Sequence, residues 1–220
     1  MQEKDTGFLT VYKGGQGEII EKKSRFIATI RPVESEEEAA AFIGEMKKQY
    51  WDARHNCSAF VIGSNQEITR CSDDGEPAQT AGRPMLDVLL KEGVTNAAVV
   101  VTRYFGGVLL GTGGLVRAYQ KAVQEGLAAS VLIEKKKGLK LLVRTDYNGV
   151  GKLQYLFGQK QISILDSEYA ADVLFTVLGP TERKGEIEKA IIEQTNGTAL
   201  LEWGEEVLYG ILEKEVKIIE

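Results

Sequence analysis

Glycine pairs set among charges constrain this chain more than any other feature. Residues 71–83 read Cys-Ser-Asp-Asp-Gly-Glu-Pro-Ala-Gln-Thr-Ala-Gly-Arg, and residues 102–117 carry Gly106-Gly107 and Gly111-Thr112-Gly113-Gly114. Glycine admits positive φ and close backbone approach, at an entropic cost on folding that a plain connector has no reason to carry. Three carboxylates (Asp73, Asp74, Glu76) and three arginines (Arg83, Arg103, Arg117) share the same region. Permissive backbone beside so many charges reads as a working surface.

A length of 220 residues allows one large domain or two small ones. The net charge is −5, with no basic excess in either half. A protein that holds nucleic acid chiefly by neutralising phosphates carries such an excess, so a nucleic-acid role here must rest on a local patch. No apolar run approaches membrane length; the longest strongly apolar piece, Ala97 to Val101, suits a buried strand. The first residues are polar and show no secretory pattern, so a cytoplasmic protein is expected, with no membrane partner. Cys57 and Cys71 form no Cys-x-x-Cys pair and read as small buried hydrophobes. With His55 the single histidine, no zinc spacing is present, and no metal or cofactor is expected.

The pattern along the chain is α+β. Residues 18–33 read as a strand closed by Pro32, and Glu34-Ser35-Glu36 opens a helix striped by Ala39, Phe42, Ile43 and Met46. Strands follow at 56–63 and 67–72, a helix from Pro84, a strand at 94–104 and a long helix with Leu115, Ala118, Tyr119, Ala122, Val123 and Leu127 in register. Glu134-Lys135-Lys136-Lys137-Gly138 reads as a charged break, which sets domains at 1–135 and 138–220. The second domain has the ferredoxin-like order β-α-β-β-α-β over 139–203; residues 204–220 fit neither period.

Four motifs carry a family resemblance. Asp73-Asp-Gly-Glu-Pro, Thr80-Ala-Gly-Arg-Pro-Met, Arg103-Tyr-Phe-Gly-Gly and Gly111-Thr-Gly-Gly-Leu-Val-Arg-Ala-Tyr together resemble the signature of the IMPACT family in its bacterial, YigZ-like form. The resemblance implies an N-terminal two-layer domain similar to the second domain of ribosomal protein S-five. It also implies regulation of translation, since the eukaryotic members regulate initiation by competing for an activator of an eIF-two kinase.

Each constellation has a plain reading beside a functional one. Asp73, Asp74 and Glu76 form either a tight turn or a polar recognition or metal site. Gly106, Gly107, Gly111, Thr112, Gly113 and Gly114, flanked by Arg103 and Arg117 with Arg83 as a further candidate to approach them, form either a close helix–sheet contact or an anion nest. Neither a Walker A lysine nor Gly-x-Gly-x-x-Gly after a strand is present. Arg103-Tyr104-Phe105 suggests stacking on bases, but strand alternation leaves at most one ring free. His55 is either a base or a hydrogen-bonded structural histidine. Asp74, Glu76, Arg103 and Arg117 are expected to line one surface. The function these readings favour is a non-catalytic regulator of translation binding RNA, the ribosome or a translation factor. The alternative is an enzyme acting on a phosphorylated small molecule through the Gly-rich loop and the carboxylates.

Overall fold

A computed structural model describes residues 7–213 and 215–219; residues 1–6 of the first expected domain and 214 and 220 of the second lie outside it. The chain opens with β1 (Phe8–Lys13), β2 (Gln16–Glu21) and β3 (Ser24–Pro32). The single strand expected over 18–33 is in fact a hairpin. Lys22 and Lys23 take φ of 45° and 68°, the chain reverses, and Glu21 pairs with Ser24. Such primed turns need positive φ at both central residues and usually recruit Asn-Gly.

Helix α1 (Glu36–Gln49) starts at Ser35, whose hydroxyl accepts from the Glu38 amide, and carries Glu36, Glu37 and Glu38 in its first turn, as the macrodipole favours. Then come β4 (His55–Ile62), β5 (Ile68–Ser72), the acidic loop, α2 (Gly82–Lys91), β6 (Val94–Thr95), β7 (Ala97–Tyr104), the Gly-rich loop and α3 (Thr112–Ala128). An antiparallel sheet runs β2-β3-β7-β4-β5, and β1 pairs in parallel with β6.

Two buried clusters explain why Ala97–Val101 is apolar at every position. Ala97, Val99 and Val101 pack with Met85 and Leu89 of α2 and with Leu115, Tyr119 and Val123 of α3. Ala98 and Val100, on the other face, pack with Ala39, Phe42 and Met46 of α1. A strand covered on both faces cannot alternate with polar residues. The unit therefore has three layers, helix, sheet and helices, where two were expected. The period of α1 marks its apolar stripe but not the face of the sheet that the stripe covers.

β8 (Val131–Thr145) carries the chain from one compact unit, Phe8–Ile133, into a second that runs on from Glu134 and also takes in Gly7. Residues 134–138, expected as a break, lie inside this strand. β11 (Leu200–Leu212) extends well past Trp203 and pairs Tyr209 with Lys136 and Leu208 with Lys137, so the ladder holds the backbone while the Lys136 and Lys137 side chains are exposed and that of Lys135 is buried. Between these strands lie α4 (Tyr147–Lys160), β9 (Ser163–Tyr169), β10 (Val173–Pro180) and α5 (Lys184–Thr195). The antiparallel order is β11-β8-β10-β9. β12 (Glu215–Ile219) pairs with the end of β11, so a hairpin occupies most of the segment that fitted no period. Leu141, Val143, Leu153, Phe157, Phe175, Ile187 and Ile191 form the core of this unit, each such side chain contributing about 1.5–3 kcal/mol by its burial.

Candidate functional site

The acidic loop between β5 and α2 is tied down by its own carboxylates. Asp73 Oδ1 accepts from the amides of Ala81 (3.0 Å) and Gly82 (2.8 Å), and Oδ2 from that of Gln79 (2.8 Å). Ala81, at the N-cap of α2, has no side-chain oxygen to satisfy these amides, so Asp73 caps the helix from eight residues upstream. Asp74, at φ 42°, accepts from Lys47 Nζ (2.6 Å) and the Asn56 amide (2.8 Å). Partial burial opposes its ionisation, but the Lys47 ammonium and the Asn56 amide outweigh that and hold its pKa below the ordinary aspartate value. His55 Nδ1 lies 3.0 Å from the Asp74 carbonyl. A carbonyl only accepts, so this nitrogen carries the proton and the ring braces the loop.

Glu76 points inward. Its Oε1 accepts from Arg103 Nη1 at 2.7 Å and from the Tyr119 hydroxyl at 2.8 Å, and the Glu76 and Arg103 side chains are 3% and 7% exposed. Cys57 Sγ lies 3.3 Å from the Tyr119 hydroxyl and 3.0 Å from the Asp73 carbonyl. Burial pushes the Cys57 thiol up to about 12 and raises Tyr119 well above its ordinary value, so both stay protonated near neutrality. The Arg103 guanidinium also reaches Ser24 Oγ at 3.5 Å and sits 5.3 Å from the Phe26 ring and 5.6 Å from the Phe105 ring. Ion pair, hydroxyl and thiol thus join the acidic loop to β4, β7 and α3.

The Gly-rich loop is pinned at its start. A Cβ on Gly106 would overlap the Lys23 carbonyl group, so only glycine permits this approach to the hairpin tip; its amide donates to Ser24 Oγ at 3.1 Å. Gly107 is exposed. Gly111 takes φ 74° at the N-cap of α3, with no side chain capping the helix. Thr112 and Gly113 are exposed in the first turn. Gly114 and Arg117 line a groove of about 240 Å³ with Ile19, Glu21, Lys22, Leu110, Ala118 and Lys121. Lys22, Lys23, Arg117 and Lys121 are exposed and make no ion pair among the described residues; Glu21 is the one acid lining the groove.

The single charged surface expected from Asp74, Glu76, Arg103 and Arg117 does not form. Glu76 and Arg103 are interior, Asp74 is half-buried on Lys47, and Arg117 stands in the groove. Arg83 reaches Asp87 at 2.8 Å along α2. Tyr104 donates to Asp52 at 2.8 Å. Phe105 is 52% exposed. Among the described residues, no three His, Cys, Asp or Glu side chains converge as a metal site would require. Sequence reasoning missed Lys22 and Lys121 at the groove, Lys23 at the hairpin tip beside it, and Ser24, Lys47, Cys57 and Tyr119 beneath the loops. Lys121, one helical turn beyond Arg117, was the one with a readable signal.

Comparison with known proteins agrees with this architecture. Residues 22–127 match the Impact N-terminal domain, and residues 143–198 match a domain of unknown function, DUF1949. The chain is 41% identical over 198 residues to the IMPACT family member YvyE of Bacillus subtilis, covering 90% of this chain and 91% of that one. It is 37% identical over 182 residues to the IMPACT family member YigZ of Escherichia coli, covering 82% and 89%. A solved structure described as that of a hypothetical protein superposes with a TM-score of 0.58 at 35% identity, covering 89% of this chain and 96% of its own. Sequence likeness at this level along most of both chains establishes that the protein belongs to the IMPACT family.

Proposed function

We propose that this protein is a non-catalytic regulator of translation that binds RNA on the basic groove at the head of α3. Family membership supports the first part, because the eukaryotic members regulate translation initiation. The observation that carries the second is a set of four exposed cations that make no ion pair among the described residues, Lys22, Arg117 and Lys121 lining one groove and Lys23 next to Lys22 at the hairpin tip, against the single lining carboxylate of Glu21, in a protein whose net charge is −5. A local patch of this kind supplies the electrostatic footprint that overall composition withholds. The carboxylates an enzyme would need as base or metal ligands are engaged elsewhere: Asp73 by three amides, Asp74 by Lys47 and Glu76 by Arg103. A cytoplasmic site of action belongs to this reading; no helix among the described residues is long and apolar enough to cross a membrane. We read the second unit as ferredoxin-like, on its strand order, and the first as related to the second domain of ribosomal protein S-five.

The test is RNA and ribosome binding as a function of salt. If four cations each displace a counterion from single-stranded RNA, the slope of log affinity against log salt is about −3. Lys22→Glu and Arg117→Glu are expected to weaken binding and flatten that slope while leaving the melting temperature nearly unchanged, as both side chains are exposed. Charge-reversed variants that bind like the parent would remove the groove from the proposal.

A further inference from the structure

Three apolar side chains stand exposed in the loop beside the groove: Phe105 at 52%, Val108 at 42% and Leu109 at 83%. Scattered exposed hydrophobes need no explanation, but Phe105 is held in place. The Arg103 guanidinium lies 5.6 Å from its ring, and that guanidinium is fixed by the buried bond to Glu76. The next residue, Gly106, is pressed against the Lys23 backbone and donates to Ser24. The ring therefore rests on a rigid base and keeps an open side, next to the hairpin tip that carries Lys22 and Lys23. From there the loop runs through Leu110 into the groove with Arg117 and Lys121. Tyr104, the other aromatic of the motif, is engaged with Asp52.

We propose that Phe105 is a stacking platform for a nucleobase and that the ligand of this face is single-stranded RNA. The inference deepens the RNA-binding reading and rests on it. Cations alone accept any polyanion, whereas an exposed ring beside them adds a contact that, between single-stranded and duplex RNA, the unpaired base meets. A duplex buries its base faces and offers phosphates alone; a single strand offers both. Every base has a π-face, so the platform tolerates any sequence and selects for strandedness.

Fluorescence anisotropy with an oligouridylate of about 12 nucleotides and an RNA duplex of about the same length tests this, a length within the range one such binding surface covers. The parent is expected to prefer the single strand. Phe105→Ala and Phe105→Leu should each weaken single-strand binding about 5- to 150-fold, with the salt slope unchanged because no charge is removed. Phe105→Trp should bind at least as well as the parent. A Phe105→Ala variant that binds the single strand within about twofold of the parent, or a parent that binds duplex equally well, overturns the platform. If Lys22→Glu and Arg117→Glu lose binding in that case, the basic groove stands without it. Binding of neither oligonucleotide at low salt overturns both.

Discussion

The Glu76–Arg103 pair joins segments far apart in the chain: the acidic loop, β7 and, through Tyr119, α3. Taking two charges out of water costs several kcal/mol apiece, recovered only while partner and geometry are both present. Arg103→Ala leaves the Glu76 carboxylate facing the Tyr119 hydroxyl without its cation, and is expected to cost about 3–5 kcal/mol, read as a lower urea midpoint. Arg103→Met combined with Glu76→Leu removes both charges while keeping apolar volume, and should recover much of that loss. A single variant that costs under about 1 kcal/mol would place the pair among weak surface bridges and dissolve the account of how the loops are held. The same variant separates structure from binding. A direct contact of Arg103 with RNA would lower affinity at undiminished stability, whereas its burial predicts lost stability, with any fall in affinity following from the loosened seat of Phe105.

Among elements, β8 departs most from its sequence pattern. Three consecutive lysines followed by glycine look like a solvated break, yet Lys136 and Lys137 are paired to Tyr209 and Leu208 across the ladder. Trypsin needs an extended, unpaired stretch in its cleft. Native protein is therefore expected to be cut no sooner after Lys135, Lys136 or Lys137 than at exposed loops, as mass spectrometry of early fragments would show. A first cleavage there would mean that this ladder opens readily. The helices were legible because their periods are local: Leu115, Ala118, Tyr119, Ala122 and Val123 announce the buried face of α3, and all are buried. The hairpin at Lys22–Lys23 was not, because two lysines hold the positive φ that asparagine and glycine usually signal. The site divides in the same way. The glycines announced a special loop, whereas the inward turn of Glu76 depends on Arg103 and Tyr119, which lie 27 and 43 residues away. No local pattern encodes contacts of that range.

Among the described residues, the two buried clusters of the first unit share no residue with that of the second. Phe26, Met85 and Tyr119 belong to the first unit, and Leu141, Phe157 and Phe175 to the second. Every residue of the proposed RNA site, from Lys22 to Lys121, lies in the unit spanning Phe8–Ile133. Phe157 is fully buried and meets Phe175 edge to face at 5.7 Å. Phe157→Ala should therefore cost the second unit about 3–5 kcal/mol through lost burial and the void left behind. With separate cores the loss need not spread, and unfolding should depart from a single cooperative step. Hydrogen exchange on the variant, below the melting point of the first unit, is expected to expose the amides of Val143 and Phe175 while those of Val99 and Val101 stay protected. Oligouridylate affinity measured at the same temperature should match the parent, because Lys22, Phe105 and Arg117 still sit on an intact frame. Exchange that rises together in both units would show one cooperative molecule. Loss of affinity with the first unit still protected would show instead that the second unit contributes to the RNA site.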